Sequence, residues 1–506
     1  MAGAYQSPPA HPRGSSLCGA ALISTRCPQC GGDLSFEEGS NAIRCPFCGI
    51  ALLVTGYGRV LSYYLPAARG EEEVKRQALQ TAQARTVASK ASLQELLLAF
   101  VPYYRITGLD FSWSWEYREI SSPLLSDPDR HLPLGRGGQD LDLYPGEGFG
   151  PLREKEYRLA CKYLDRTFLA ADLPRLTLTS LSFRPQVLAL RLFDWGEIRR
   201  QGTVIPVAME SQDAWRQAEK WLPAGNLTLR RLINRTLSLV FFPLWEARIE
   251  ADGRHFSLLI DAVSGSPLST LLLPPLLPSS PGSQSSSLEI LRFRPLLCPN
   301  CGADLPPEPS FRLFTCASCH RVWKIHYESL LEVSYLLAHP PKGMPSPSRC
   351  HFLPFWTFQA QVHLDGRILT SKHDLAQIAP LARVPREEEK GIPLLFFVPA
   401  FKVRDLLVLN RIATSFTRLQ PAFEVQPYNG EDLHPGCILD REEAANFAPL
   451  TLISLLPRGN SALIEAAARA ELLLSPGRLL FFPFREELNY WREDFLGTAI
   501  SKNTLG

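Results

Sequence analysis

The sequence predicts an α+β protein in which strand-dominated mixed bodies form two similar lobes, each preceded by a four-cysteine module. Three observations carry this expectation. Eight of the twelve cysteines fall in four C-x-x-C pairs, and the pairs form two sets with the same internal spacing. Five short segments join apolar residues, a proline and an aromatic: FVPYY at 100–104, FFPLW at 241–245, FLPFW at 352–356, FVPAF at 397–401 and FFPF at 481–484. Helical periodicity is restricted to a handful of stretches.

A chain of 506 residues has room for several domains of about 100 to 200 residues each. Hydrophobic residues at 45% and charged residues at 21% are the usage of a folded globular protein and exclude wholesale disorder. The 53 Lys and Arg nearly cancel the 51 Asp and Glu, so no overall field gathers nucleic acid or anionic membrane. Residues 1–26 read as a disordered tail without a signal sequence. The longest apolar runs, 237–245 and 394–401, are less than half the roughly 20 residues of a spanning helix. Cys18, Cys161, Cys350 and Cys437 stand alone, which is the usage of a reducing compartment. The expectation is a soluble, cytoplasmic protein.

In order along the chain, the tail gives way to a cysteine module at 27–58 and an α+β body at 59–273. A Pro/Ser linker at 274–290, PPLLPSSPGSQSSS at its core, cannot bury apolar surface and separates the halves. The second module follows at 291–328 and the second body at 329–506. The aromatic-proline segments read as strands, with each proline at an edge, a bulge or a strand end. Asp252-Gly253 and Asp365-Gly366 read as hairpin turns between alternating strands. Helices are expected at 71–88, at 152–171 with Leu164 and Phe168 on one face, at 212–222 after Ser211, and at 461–474. Asp440, three residues before Glu443, is a capping-box start for another.

Within the modules, Cys27-Pro-Gln-Cys30-Gly and Cys45-Pro-Phe-Cys48-Gly each form a tight turn that aims two thiolates at one point. Proline fixes the backbone and glycine accepts positive φ. The second set is Cys298, Cys301, Cys316 and Cys319, again with fourteen residues between its pairs. Soft thiolates in a tetrahedron select zinc or iron over hard cations, and four protein ligands leave no open position for catalysis. These residues resemble the zinc-ribbon family with its rubredoxin-like knuckles, over about 25 residues in each half. The resemblance implies two structural zinc ions, one held by Cys27, Cys30, Cys45 and Cys48 and one by Cys298, Cys301, Cys316 and Cys319. Cys316-Ala-Ser-Cys319 departs from the pattern, because it lacks the proline and has His320 in place of glycine. His320 must then accept a backbone geometry that glycine adopts more easily, or serve as a ligand itself.

No phosphate-binding loop, H-E-x-x-H helix or G-x-S-x-G elbow occurs, and the glycine-rich stretch 135–150 lacks the lysine that a phosphate loop needs. Cys350-His351 are neighbours in an extended segment and so point to opposite faces, while Cys161 and Cys437 read as small buried hydrophobes. The chain is therefore expected not to be an enzyme, but a non-catalytic zinc-binding platform for intracellular protein interaction or assembly, with ribbons projecting from the bodies. Other proteins are the expected partners; a small-molecule substrate is not expected. The alternative is a nucleic-acid-binding zinc-ribbon protein, for which Arg199-Arg200 near Trp195 and Arg230-Arg231 with Arg235 are the candidate basic clusters. Internal duplication is expected from repeated order. VLSYYLP at 60–66 matches VSYLLA at 333–338, LTSLSFRPQV at 178–187 matches IATSFTRLQPAF at 412–423, and VIPVAMESQDAW at 204–215 matches LHPGCILDREEAA at 433–445. The extra length of the first half, including 135–171, reads as an insertion.

Overall fold

The computed structural model describes residues 21–56, 60–85, 91–120, 152–174, 176, 178–181, 189–221, 225–251, 253–272, 291–341, 350–379 and 386–505. The linker at 274–290, the glycine-rich loop at 135–150, Cys18 and Asp252 lie outside them. Strands outweigh helices, and two ten-stranded sheets dominate a mixed α and β architecture.

The first sheet is organised on two long antiparallel strands, Ala91–Ile120 and Leu227–Ala251, paired from Ala91 opposite Ala251 to Ser114 opposite Leu227. Leu152–Leu169 runs along the outer side of Ala91–Ile120, from Leu152 opposite Ile120 to Leu169 opposite Tyr103. This corrects the helix expected at 152–171. Leu164 and Phe168 are both buried on one face as anticipated, but a spacing of four is also even, and a period of two satisfies it equally. The unbroken ladder decides between the two periods, and Cys161 sits on a strand, not a helix. Strand Leu22–Arg26 likewise reaches back into the stretch read as tail, pairing with Asp33–Glu37 and Ala189–Leu192.

In the second sheet the central strand is Cys350–Leu364, flanked on one side by Arg478–Glu486 and Glu471–Leu474 in line, and on the other by Leu395–Pro399. The helix expected at 461–474 stops at Ala468, because residues 471–474 are claimed by pairing with residues 360–363 of the central strand. Other helices form near their expected places, at Glu71–Arg85 and Ser211–Trp221. Asp365 and Gly366 both have positive φ, 49° and 74°, as a two-residue type I′ hairpin requires. IATSFTRLQPAF falls mostly in helix Leu407–Leu419, whereas its counterpart lies partly outside the described residues.

All five aromatic-proline segments lie in or against strands, and four of them pair by one rule. Phe100 faces Pro243 and Phe241 faces Pro102 in the first sheet; Phe352 faces Pro483 and Phe481 faces Pro354 in the second. A strand shortly after each cysteine module, Leu61–Tyr64 or, beyond Ser329–Val333, Tyr335–His339, runs parallel to the later member of the pair, placing Tyr64 beside Phe241 and Leu337 beside Phe481. Whereas Pro399 of the fifth segment does end its strand, these four prolines lie inside central strands, not at the edges, bulges or strand ends expected from sequence. Each sits where its strand exchanges one lateral neighbour for another, so the ladder needs no N–H there. Pro102 lies between the antiparallel neighbour ending at Leu169 and the parallel neighbour at Val204, and its carbonyl accepts from Ala170 at 3.0 Å. Pro354 lies between Pro399 and Leu433, and its carbonyl accepts from Ala400 at 2.9 Å.

The repetition extends to a feature that the sequence reading missed. Asp261 closes a turn by accepting from the amides of Val263 and Ser264, its own amide donates to Ser266 at 2.9 Å, and Gly265 has φ +80°. Glu493 accepts from Phe495, Leu496 and Thr498, its amide donates to Thr498 at 3.1 Å, and Gly497 has φ +72°. Both turns follow an acid-x-x-x-Gly-hydroxyl pattern, which a search for carboxylate-capped turns would have found.

The two halves share a core. The far end of the three-stranded arm, with Phe111, Trp113 and Tyr157, packs in the cluster of the second sheet, and Phe111 meets Phe447 edge-on at 5.2 Å. Asp440 caps helix Arg441–Leu455 as expected, accepting from the Glu443 amide at 2.9 Å. The Glu443 carboxylate does not close the box. It accepts instead from the amide of Asn234, a non-glycine residue held at φ 53°, and so ties the arm to the helix at 2.7 Å. Close approach is strictest at Gly436, where an added Cβ would lie 2.4 Å from the Leu313 carbonyl and 2.4 Å from the Phe311 ring. Gly436→Ala is expected to cost about 1–3 kcal/mol through overpacking, measurable by chemical denaturation; an unchanged midpoint would show that the Leu313 strand yields freely.

Candidate metal centres

Four knuckles are built on one hydrogen-bond plan. The amide of the first cysteine donates across the turn, Cys27 to Gly32, Cys45 to Ile50, Cys298 to Ala303 and Cys316 to Arg321, all at 2.8–2.9 Å. Its carbonyl then accepts from the residue four positions on: Gly31, Gly49, Gly302 or His320. That residue has φ of 73°, 75°, 75° and 59°, so His320 does take the left-handed conformation that its three counterparts take as glycine. Its ring stacks on Tyr428 at 4.4 Å, which rigidifies the residue, and four thiols complete the cluster without it.

The structure brings all eight predicted cysteines into two groups, in each of which the four sulfurs lie within 4.8 Å of one another. Cys27 and Cys48 Sγ are 3.9 Å apart, Cys30 and Cys45 3.7 Å, and both measured pairs of the second group 3.5 Å. A tetrahedral ion bonded to sulfur at about 2.3 Å requires sulfur separations of about 3.8 Å. The donor sets therefore fit a four-coordinate thiophilic ion. Burial opposes ionisation of Cys45, but the backbone N–H groups of Cys48 and Phe47, together with the Cys48 and Cys27 thiols, bring it down to about 6, whereas the neighbouring thiols help to push Cys30 up to about 12, so the four share their protons unevenly.

The groups are not separate projections. Hairpin Ala42–Arg44/Ala51–Thr55 of the first takes Arg292–Pro295, which leads into the second, as a third strand. Asn41 donates to the Pro309 carbonyl at 2.8 Å, and Glu328, at the tip of the second hairpin, receives Arg292 at 2.7 Å and Arg294 at 3.0 Å. Phe36 packs edge-on to Phe293 at 5.8 Å. Instead of projecting separately from two bodies, the modules are joined to one another through the shared strand Arg292–Pro295 and its ion pairs.

The chain was compared with known protein families, curated proteins and solved structures. It matches none of them.

Among the described residues the isolated cysteines make poor nucleophiles. Burial pushes Cys161 up to about 12 and Cys350 up to about 11, and it raises Cys437, which is fully enclosed. His351 is turned to Asp432 at 2.8 Å. The predicted basic clusters are largely engaged within the protein. Arg199 lies over the Trp195 ring at 4.6 Å, Arg230 pairs with Asp110 at 3.0 Å, and Arg235 covers Trp215 at 5.0 Å. Among the described residues no helix is long and apolar enough to cross a membrane.

With the ions removed by a chelator, a cooperative unfolding transition is expected to persist at lower temperature. The cluster around Phe241 and Trp245 contains no cysteine, so an ion held by either four-thiol group has no ligand in it. Calorimetry of the metal-free chain checks this; complete loss of cooperativity would mean that the modules organise the whole fold.

Proposed function

We propose that this chain is a non-catalytic interaction or assembly platform, stapled by two structural zinc ions and built from two lobes that arose by internal duplication. The observation that carries the reading is the presence of two four-thiol clusters in modules joined by a shared strand. Four protein ligands leave a zinc ion no position for substrate, so the metal's role is to hold a surface rigid. The modules offer aromatic side chains to solvent at two places: Phe47, within the Cys45-Cys48 knuckle, is 68% exposed, and Tyr327, beside Thr55 and Gly56, is 72% exposed. Aromatics offered on a rigid support suit recognition of a protein partner.

Duplication is supported by the reciprocal Phe/Pro registers, the parallel strand after each module and the two acid-capped turns. Homologues aligned half against half are the check, in which Phe100 and Pro102 should coincide with Phe352 and Pro354; different orders of these elements would refute common origin. For the platform, affinity capture from the native host with the intact protein is compared with a Phe47→Ser, Tyr327→Ser double variant that keeps both metal ions. Partners retained by the first and lost by the second are expected. Equal recovery on both would remove this surface as the interface, and firm, salt-sensitive retention on heparin and single-stranded DNA would favour nucleic-acid binding.

A further inference from the structure

Where the arm of the first sheet crosses the helices of the second half, it leaves a cavity of about 830 Å³. Its apolar wall comes from both sides, with Trp113 and Leu159 on the arm facing Leu456 and Ile464. Its charged wall holds four arginines, Arg158, Arg411, Arg418 and Arg458, and among the described residues no carboxylate lines it. Glu156 pairs with Arg158 at 3.1 Å from outside the lining. On helix Leu407–Leu419 the spacing of Asn410, Arg411, Thr414 and Arg418 follows the helical repeat, so one face of that helix is turned to the cavity.

Two polar groups in the lining are left with nothing to bond. Asn410 is only 6% exposed; its amide nitrogen donates to Ser454 at 2.7 Å, but its buried Oδ1 has no partner. Arg418 reaches the Ser454 carbonyl through Nη2 at 3.5 Å, while its buried Nε has none. A buried donor and acceptor without partners each cost about 1–3 kcal/mol, and folded proteins keep few of them. Glu156 offsets Arg158 and lies near Arg458, which leaves Arg411 and Arg418 with no acid among the described lining residues; they add a field that an oxyanion would satisfy in fork geometry. The cavity is also of the size and apolar character of small-ligand sites, too large for an inorganic anion alone.

We propose that this cavity binds an organic anion, a carboxylate or phosphate group carried on an apolar body. The oxyanion sits against Arg418 and Arg411, the body lies between Trp113 and Ile464, and Asn410 Oδ1 accepts a hydrogen bond from a donor on the ligand. Carboxylate and phosphate share this chemistry and are separated by competition. Because the lining comes from both halves, occupancy also clamps the arm to the helices.

The probe is 1-anilinonaphthalene-8-sulfonate, titrated by fluorescence into the full-length, metal-loaded chain. Saturable binding at one site per chain is expected, with N-phenyl-1-naphthylamine, which lacks the charge, at least tenfold weaker. Arg418→Met should weaken the anion at least tenfold, and Ser415→Trp, which fills the cavity but keeps every arginine, should abolish binding; metal content and a cooperative thermal transition verify that both variants fold. Dodecanoate and dodecyl phosphate should displace the probe, the stronger competitor naming the head group, whereas inorganic phosphate and dodecanol should not. Absent or unsaturable binding, an affinity unchanged in both variants, or displacement by dodecanol as strong as by dodecanoate would overturn the proposal.

Discussion

Replacing Arg105 with methionine is expected to destabilise the folded chain by about 3–5 kcal/mol, the usual cost of removing one partner from a buried ion pair. Arg105 is 1% exposed in the middle of the long strand Ala91–Ile120. It donates to both oxygens of Asp165 across the ladder, at 2.8 and 2.7 Å, and through Nη1 to Glu38 in a turn of the first cysteine module. Burial acts to discharge the guanidinium, but Glu38 and Asp165 hold its pKa above the ordinary arginine value. The side chain of Glu38 is itself only 2% exposed, so in Arg105→Met its carboxylate stays buried without its cation. That desolvation penalty, more than the lost attraction, sets the size of the effect. Chemical denaturation of the single variants and of Arg105→Met, Glu38→Leu is the measurement. The double variant should recover at least half of the loss, since it removes the stranded charge as well. A loss below about 1 kcal/mol for Arg105→Met would be the behaviour of a solvated ion pair and would contradict the burial.

The two four-cysteine clusters were legible because their chemistry is local. Two thiols at C-x-x-C spacing and a residue at positive φ define a knuckle without reference to the rest of the chain, and even the strained substitution at His320 could be anticipated. The segment 152–171 was not legible, because Leu164 and Phe168 satisfy helix and strand alike, and only its neighbour at Ala91–Ile120, tens of residues away in sequence, chooses between them. The same is true of residues 471–474, drawn out of a helix by pairing with the central strand. The prolines were read as edge, bulge or end markers because the rule concerns a missing donor; a switch of lateral neighbours in mid-sheet meets that rule too, and no one-dimensional pattern signals it. The arginine cavity was invisible for a related reason. Arg158 and Arg411 are separated by more than two hundred residues and meet only because the arm crosses the helices. The clusters that sequence proximity suggested, such as Arg230 with Arg231, are occupied with the protein's own groups: Arg230 with Asp110, and Arg231 with the Arg230 carbonyl at 2.8 Å.

Cys27→Ser is expected to reduce bound metal from two ions per chain to one, with consequences that spread beyond its own module. A structural zinc site contributes about 10–16 kcal/mol of apparent binding energy at neutral pH, and three thiolates with a hydroxyl retain too little of it to keep the ion. Cys27 directly follows strand Leu22–Arg26, which holds the edge of the first sheet through Ala189–Leu192. Cys45 and Cys48, the partners released with it, anchor hairpin Ala42–Arg44/Ala51–Thr55, on whose outer strand Arg292–Pro295 is paired. Freeing the first ion therefore loosens the strand that leads into Cys298, together with its ion pairs to Glu328. Hydrogen exchange read by mass spectrometry should show large loss of protection at residues 22–55 and a smaller one at 292–309, with the second ion retained. Cys316→Ser should give the converse: loss of the second ion and greatest loss of protection at residues 298–333, including the strand Leu313–Thr315 that pairs with Gly436–Cys437. Elemental analysis finding two ions in either variant would refute the ligand assignment. Exchange confined strictly to the mutated module would show that the two modules, although joined by a shared strand, are energetically independent.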